Sequence, residues 1–196
     1  LYSRHWFISF SDNHREVTEE GIPLRKRRYV FSECFAAIAM SEYAIASGDK
    51  SYATKALEMF KRILKFLSTP GFLEPKYLPT LQSRGHSITM ILINTASRIR
   101  EVIEDPVLDR QINESLTSIR QYFMHPEFKA LLEMVGPKGE LIDTCNGRTI
   151  NPGHCIETSW FIMEEARHRN WDKDLVQLAL QILDWSWEWG WDKEYG

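Results

Sequence analysis

Between Tyr29 and Ser47 the apolar residues Phe31, Phe35, Ile38, Ala39, Tyr43 and Ala46 recur at steps of three and four. That spacing predicts an α-helix with those side chains on one face. Gly48 is placed to end it. A second helix starts at once, capped by Asp49 or Ser51, with Ala53, Ala56, Leu57, Phe60, Ile63, Leu64 and Leu67 as its core stripe. After a Pro- and Gly-containing loop the pattern returns: a helix from about His86 to Ile103, a break at Asp105-Pro106, and a partner helix to about Phe123. A third pair is predicted from about His154 to Arg169 and from Asp172 to about Trp189.

The hairpins begin near residues 29, 86 and 155, a spacing of roughly 60 residues, which marks a repeat of helical hairpins. Connections within a pair are a few residues long, whereas those leading into each first helix run to about fifteen to thirty. Long loops gathered at one end fit a closed ring with a decorated mouth better than an open solenoid. Two of these connections carry β-hairpin signals. One is Trp6-Phe7-Ile8-Ser9-Phe10 followed by Ser11-Asp12-Asn13; the other is Leu132 to Val135, a Gly136-Pro137-Lys138-Gly139 turn, then Leu141-Ile142.

Composition narrows the function. The 196 residues carry 24 Lys+Arg against 27 Asp+Glu, a net charge of −3, and 43% are apolar. A chain of this kind buries a core without metals or disulfides. Its slight acidity gives no attraction to phosphate backbones, so nucleic acid is not an expected partner. No apolar run approaches the roughly 18 residues of a membrane span. Three cysteines, Cys34, Cys145 and Cys155, show no paired motif and are expected to be reduced thiols in a cytoplasmic protein.

Candidate chemistry clusters at the predicted helix starts. Glu33 falls in the first turn or so of the first helix, His86 opens the third, and His154 with Glu157 opens the fifth. If these helices line a ring, their N-termini converge, and the exposed N–H groups favour developing negative charge. His154 and Glu157, three apart on one face, are close enough for the carboxylate to orient the imidazole. Asn151-Pro152-Gly153 sets up that helix start, with glycine allowing close backbone approach. His86 suits a capping or packing role as well as substrate contact, and Glu33 suits a core ion pair. His5, His14, His125 and His168 have no supporting pattern and read as surface residues. All but Trp6 of the seven tryptophans lie from Trp160 onward. Trp185 and Trp189 read as packing, while Trp160 is placed to line the same cavity as His154. No ligand spacing supports a metal site.

The run Gly147-Arg148-Thr149-Ile150-Asn151-Pro152-Gly153-His154-Cys155-Ile156-Glu157-Thr158-Ser159-Trp160-Phe161 resembles the GR-x-x-NPGH-x-x-E-x-x-WF segment of N-acylglucosamine 2-epimerases. Gly190-Trp191-Asp192-Lys193-Glu194-Tyr195-Gly196 is similar to the family's GWD-x-x-x-GG loop, and Phe31-Ser32-Glu33-Cys34-Phe35 leading to Glu42-Tyr43 also fits. The resemblance implies an all-α fold, an (α/α)6 barrel of helical hairpins, in a cytoplasmic homodimer that interconverts N-acetylglucosamine and N-acetylmannosamine. It implies His154 as one of two acid/base histidines with Glu157 as its acidic partner. It places His86 where mannose isomerases and cellobiose epimerases carry a substrate-contacting histidine, and implies ATP as an activator rather than a chemical participant; Arg148, Glu33 and Trp160 are further candidates to hold the sugar.

Family members are about twice as long, so residues 1–196 read as one partial domain, the central half of the ring, with short β-hairpins before the inner helices. Alone, this half is expected to be inactive and to expose apolar helix faces at its cut edges. Inverting C2 requires proton removal from one face and return to the other, so a second base is expected beyond this chain. Two other readings stay open: an aldose–ketose isomerase or a cellobiose or mannose 2-epimerase on the same scaffold, and a non-catalytic helical-repeat binding module.

Overall fold

The computed structural model describes residues 14–17, 23–26, 29–72 and 81–195. Two short strands, β1 (His14–Val17) and β2 (Pro23–Lys26), pair antiparallel. The expected hairpin at Trp6 to Asn13 lies outside the described residues. Helices α1 (Phe31–Ser47) and α2 (Lys50–Ser68) form the first pair. Strand β3 (Arg84–Gly85) leads into α3 (His86–Arg100), which pairs with α4 (Pro106–Ser118). That helix widens into a π-helical turn, Ile119–Phe123. Strands β4 (Met124–His125), β5 (Ala130–Leu131) and β6 (Met134–Val135) precede the last pair, α5 (Pro152–His168) and α6 (Lys173–Gly190).

The punctuation residues act as the sequence predicts. Gly48 adopts φ 72° and its N–H closes on Ala44 O at 3.0 Å, ending α1 in the left-handed conformation that suits glycine. Asp49 accepts from Ser51 N at 2.9 Å, and Asp105 accepts from Val107 N at 2.9 Å with Pro106 at the first helical position. Asp172 caps α6 through Leu175 N.

Helices α1, α3 and α5 form an inner row in which α3 touches both neighbours, while α2, α4 and α6 each pack outside their own partner. The central helix is buried on nearly every side, with Met90, Ile91, Leu92, Ile93, Ala96 and Ile99 all in the core. The outer helix α2 buries Ala53, Ala56, Leu57, Phe60 and Ile63, the stripe its spacing predicts. Full burial of a side chain such as Phe60 or Ile63 stabilises the fold by about 2–3 kcal/mol.

Helix α1 departs from its predicted face. Its buried line is Glu33, Cys34, Ala37, Met40, Ser41 and Ala44, whereas Phe35 and Tyr43 of the large apolar stripe are 60% and 51% exposed. Small side chains let the backbone of α1 approach α2 and α3 closely, and the bulky stripe is left toward open space. At the other end of the row Ile156 and Trp160 of α5, and Trp187 of α6, are likewise exposed.

The second expected hairpin is also re-paired. The Gly136–Glu140 turn forms, with Gly136 N donating to Glu140 O at 2.8 Å. However, β6 pairs antiparallel with β3, Arg84 opposite Val135 and Gly85 opposite Met134, and not with Leu141-Ile142. Long-range pairing wins because it stitches the loop onto the start of the central inner helix. His125, expected on the surface, is buried and stacked on Phe128, with Nδ1 2.9 Å from Glu127.

A buried ionic cluster joins three helices behind this row. Glu165 of α5, fully buried, is bound by Arg100 of α3 at 2.5 Å and by Arg169 at 2.6 Å, while Arg100 also meets Asp109 of α4. Removing one partner of such a cluster strands buried charge. Glu165→Ala is therefore expected to cost about 3 kcal/mol in urea unfolding of the intact protein, against at most about 1 kcal/mol for the more exposed Arg169→Ala. Equal costs would contradict this account.

The thiols divide by burial. Burial, partly offset by the neighbouring Thr95 hydroxyl, raises the Cys34 thiol to about 11. Burial together with the nearby Glu133 charge raises Cys155 to about 12. Cys145 is exposed. Alkylation at about pH 8, followed by peptide mass spectrometry, should modify Cys145 and spare Cys34 and Cys155 until the protein is unfolded. Labelling of Cys155 at the rate of Cys145 would show that its burial is wrong.

Candidate functional site

The start of α5 is built by the run that precedes it. Gly147 sits where a Cβ would lie 2.0 Å from Ile142 O, so the loop can fold this tightly only around glycine. Asn151 caps the helix by accepting from His154 N at 3.3 Å, and Pro152 takes the first helical position. Gly190 at the end of α6 lies against this turn, where a Cβ would come within 2.6 Å of Pro152. Gly153 plays no such part: a Cβ there would meet only Asn151 Oδ1 at 3.4 Å.

This turn delivers His154 to a hollow of about 1900 Å³, whose wall includes Arg84, Glu133, Asn151, His154, Glu157 and Trp160. His154 is partly exposed, and its Nδ1 lies 2.8 Å from Glu133 Oε1. The carboxylate on the imidazole is thus Glu133, not the expected Glu157. Glu157 lies on the same wall, its side chain open to the hollow.

Glu133 comes into place through the β3–β6 pairing. Its carbonyl accepts from His86 N at 3.0 Å, which sets the residue before β6 against the first residue of α3. His86 itself is fully buried and is absent from the wall of the hollow, which fits the packing role of its two expected readings. Its Nδ1 stands 3.7 Å from Glu133 Oε1, its Nε2 is 3.1 Å from Thr158 Oγ1, and its ring packs edge-on against Phe123 at 5.5 Å. Thr158 Oγ1 in turn donates to His154 O at 2.8 Å. Burial on its own would push the Glu133 carboxyl up, but the two imidazoles outweigh it and hold the group below its usual 4.5.

The remaining expected contacts divide. Trp160 is 59% exposed on the wall of the hollow, available for stacking. Arg148 does not line it; the guanidinium is exposed and pairs with Asp143. Glu33 is buried in the packing face of α1 and likewise does not reach the wall. Arg84, not singled out by the sequence, does line it, anchored by Pro137 O at 2.6 Å and lying 4.3 Å over the Tyr122 ring. Among the described residues no three His, Cys, Asp or Glu side chains gather in a way that could hold a metal ion.

A sequence profile for N-acylglucosamine 2-epimerase (GlcNAc 2-epimerase) matches residues 10–196. The chain is 28% identical over 183 residues to the N-acylglucosamine 2-epimerase of Bos taurus and 27% identical over 184 residues to that of Homo sapiens. Each match covers 92% of this chain but 43% of the relative, so the chain spans less than half the length of these proteins. Among solved structures, the cellobiose 2-epimerase of Bacillus thermoamylovorans superposes with a TM-score of 0.71 at 18% identity, over 86% of this chain and 47% of that one. A D-mannose isomerase gives 0.67 at 12% identity, over 93% and 52%. The three hairpins are about half the ring of an (α/α)6 barrel, the inner row forming part of its inner wall. On the match across almost its whole length, the chain belongs to the N-acylglucosamine 2-epimerase family.

Proposed function

We propose that this chain is the central half of a sugar 2-epimerase that interconverts N-acetylglucosamine and N-acetylmannosamine. The observation that carries the reading is the partly exposed His154 ring, hydrogen-bonded to an ionised carboxylate, on the wall of a hollow where inner helices begin. Relatives of 27–28% identity bear that enzyme's name, which favours an amino sugar over the other sugars handled on this scaffold.

The chemistry follows from the open-chain sugar. The C2 proton is acidic because the C1 carbonyl takes up the charge left by its removal. His154, bound at Nδ1, has Nε2 for that proton, and a positioned base of this kind contributes roughly 10²–10⁴-fold in rate. The enolate then needs positive potential at its C1 oxygen, for which the N-terminus of α5 and Arg84 are placed. Return of a proton to the opposite face falls to a group outside this segment, so the segment alone is inactive. Imidazole chemistry suffices for both transfers, with no cofactor in the reaction itself. Trp160 and Glu157 offer a ring face and an acceptor for the sugar body.

An aldose–ketose isomerase would return the proton to C1 instead. Incubating the intact protein with N-acetylmannosamine in deuterated water separates the two. N-acetylglucosamine carrying deuterium at C2 is expected; because that carbon bears nitrogen and cannot become a keto group, an isomerase would show itself by leaving this sugar unexchanged and forming a ketose from mannose in a parallel incubation, and that pair of results would reject epimerisation. His154→Asn in the intact protein is expected to lower kcat by roughly 10²-fold or more. Undiminished turnover in that variant would remove His154 from the reaction, and a wild-type protein that turns over no sugar would favour a binding module.

A further inference from the structure

We propose that Glu133 is a positioning residue that fixes His154 as its Nδ1–H tautomer and so leaves Nε2 as the atom that exchanges the proton; this rests on His154 being the acid/base group. A carboxylate has no proton to donate, so the 2.8 Å contact to Nδ1 requires that nitrogen to carry the hydrogen. The carboxyl is held ionised, below its usual range, by His86 and His154 against the effect of burial. A neutral imidazole in water favours the other tautomer, so the contact reverses an intrinsic preference.

The carboxylate is itself held from three directions. Its main chain is tied by the bonds from Glu133 N to Thr149 O at 3.4 Å and from His86 N to Glu133 O at 3.0 Å. Behind it stands the buried His86 ring, backed by Phe123 and hydrogen-bonded to Thr158 Oγ1. Thr158 donates back to the carbonyl of His154, closing a loop in which α3, the segment before β6 and the first turns of α5 constrain one another. Among the described residues, the charged or titratable groups near His154 include Glu133, His86 beyond it, Cys155 and Glu157 on its own helix, and Arg84 on the same wall. Of these, Glu133 alone is hydrogen-bonded to the ring.

The direct test is nitrogen NMR of the intact, ¹⁵N-histidine-labelled protein without substrate, at about pH 8 or above, where imidazoles are neutral. His154 is expected to show a protonated Nδ1 and a bare Nε2; a protonated Nε2 would overturn the proposal. Because no sugar is needed, this result stands apart from whether the functional reading holds. In kinetics, Glu133→Gln is expected to lower kcat roughly 10²-fold with KM within about threefold, and Glu133→Asp to recover part of the loss. An unchanged kcat in a Gln variant that melts like the parent would overturn the assignment.

Discussion

One carboxylate oxygen, Oε1 of Glu133, stands between two imidazoles, 2.8 Å from the exposed His154 and 3.7 Å from the buried His86. Most of what is distinctive in this half ring serves that juxtaposition. A carboxylate in partial burial is costly unless groups that favour its charge stand beside it, and here both imidazoles come from the first turns of inner helices. The ring scaffold brings those turns together, and the two-residue β3–β6 ladder sets Glu133 between them.

The division of labour between the two histidines follows from depth. His86 has no solvent exposure and makes its contacts inside the protein, to Thr158, Phe123 and Glu133. His154 is joined to Glu133 through one nitrogen and meets the hollow with the rest of its ring. A buried imidazole that braces a carboxylate, and an accessible one that the carboxylate orients, form an outward sequence from core to cavity. The Arg100–Glu165–Arg169 cluster on the far side of α3 and α5 uses the same logic for stability, tying the inner row to α4 through Asp109 and Asn113.

Helix existence, order and punctuation were legible because they depend on local chemistry: periodic apolar residues, Gly48 at a left-handed stop, Asp49 and Asp105 as caps, Pro106 at a helix start. The family was legible because Asn151-Pro152-Gly153-His154 is a long contiguous motif. Burial on α1 was not, since an inner helix is apolar on more than one face and periodicity cannot say which face meets a neighbour. The carboxylate partner was not legible either. Glu157 lies three residues from His154, but Glu133 reaches it through a strand pairing between residues far apart in the chain, and no local spacing encodes that. The charged residue inside the apolar Leu132 to Val135 run was the available signal. The burial of His86 had the same cause, because only the packing of Phe123 and α5 around α3 shows which way its first residue turns.

The central claim is that an imidazole held by Glu133 meets the carbon beside a sugar's carbonyl. A crystal structure of the intact protein with an open-chain amino-sugar alcohol bound tests it most directly. The account predicts C2 of that ligand roughly 3–3.5 Å from His154 Nε2, with Nδ1 still on Glu133. A ligand seated with C2 remote from that nitrogen, or a His154 ring swung away from Glu133 on binding, would contradict it.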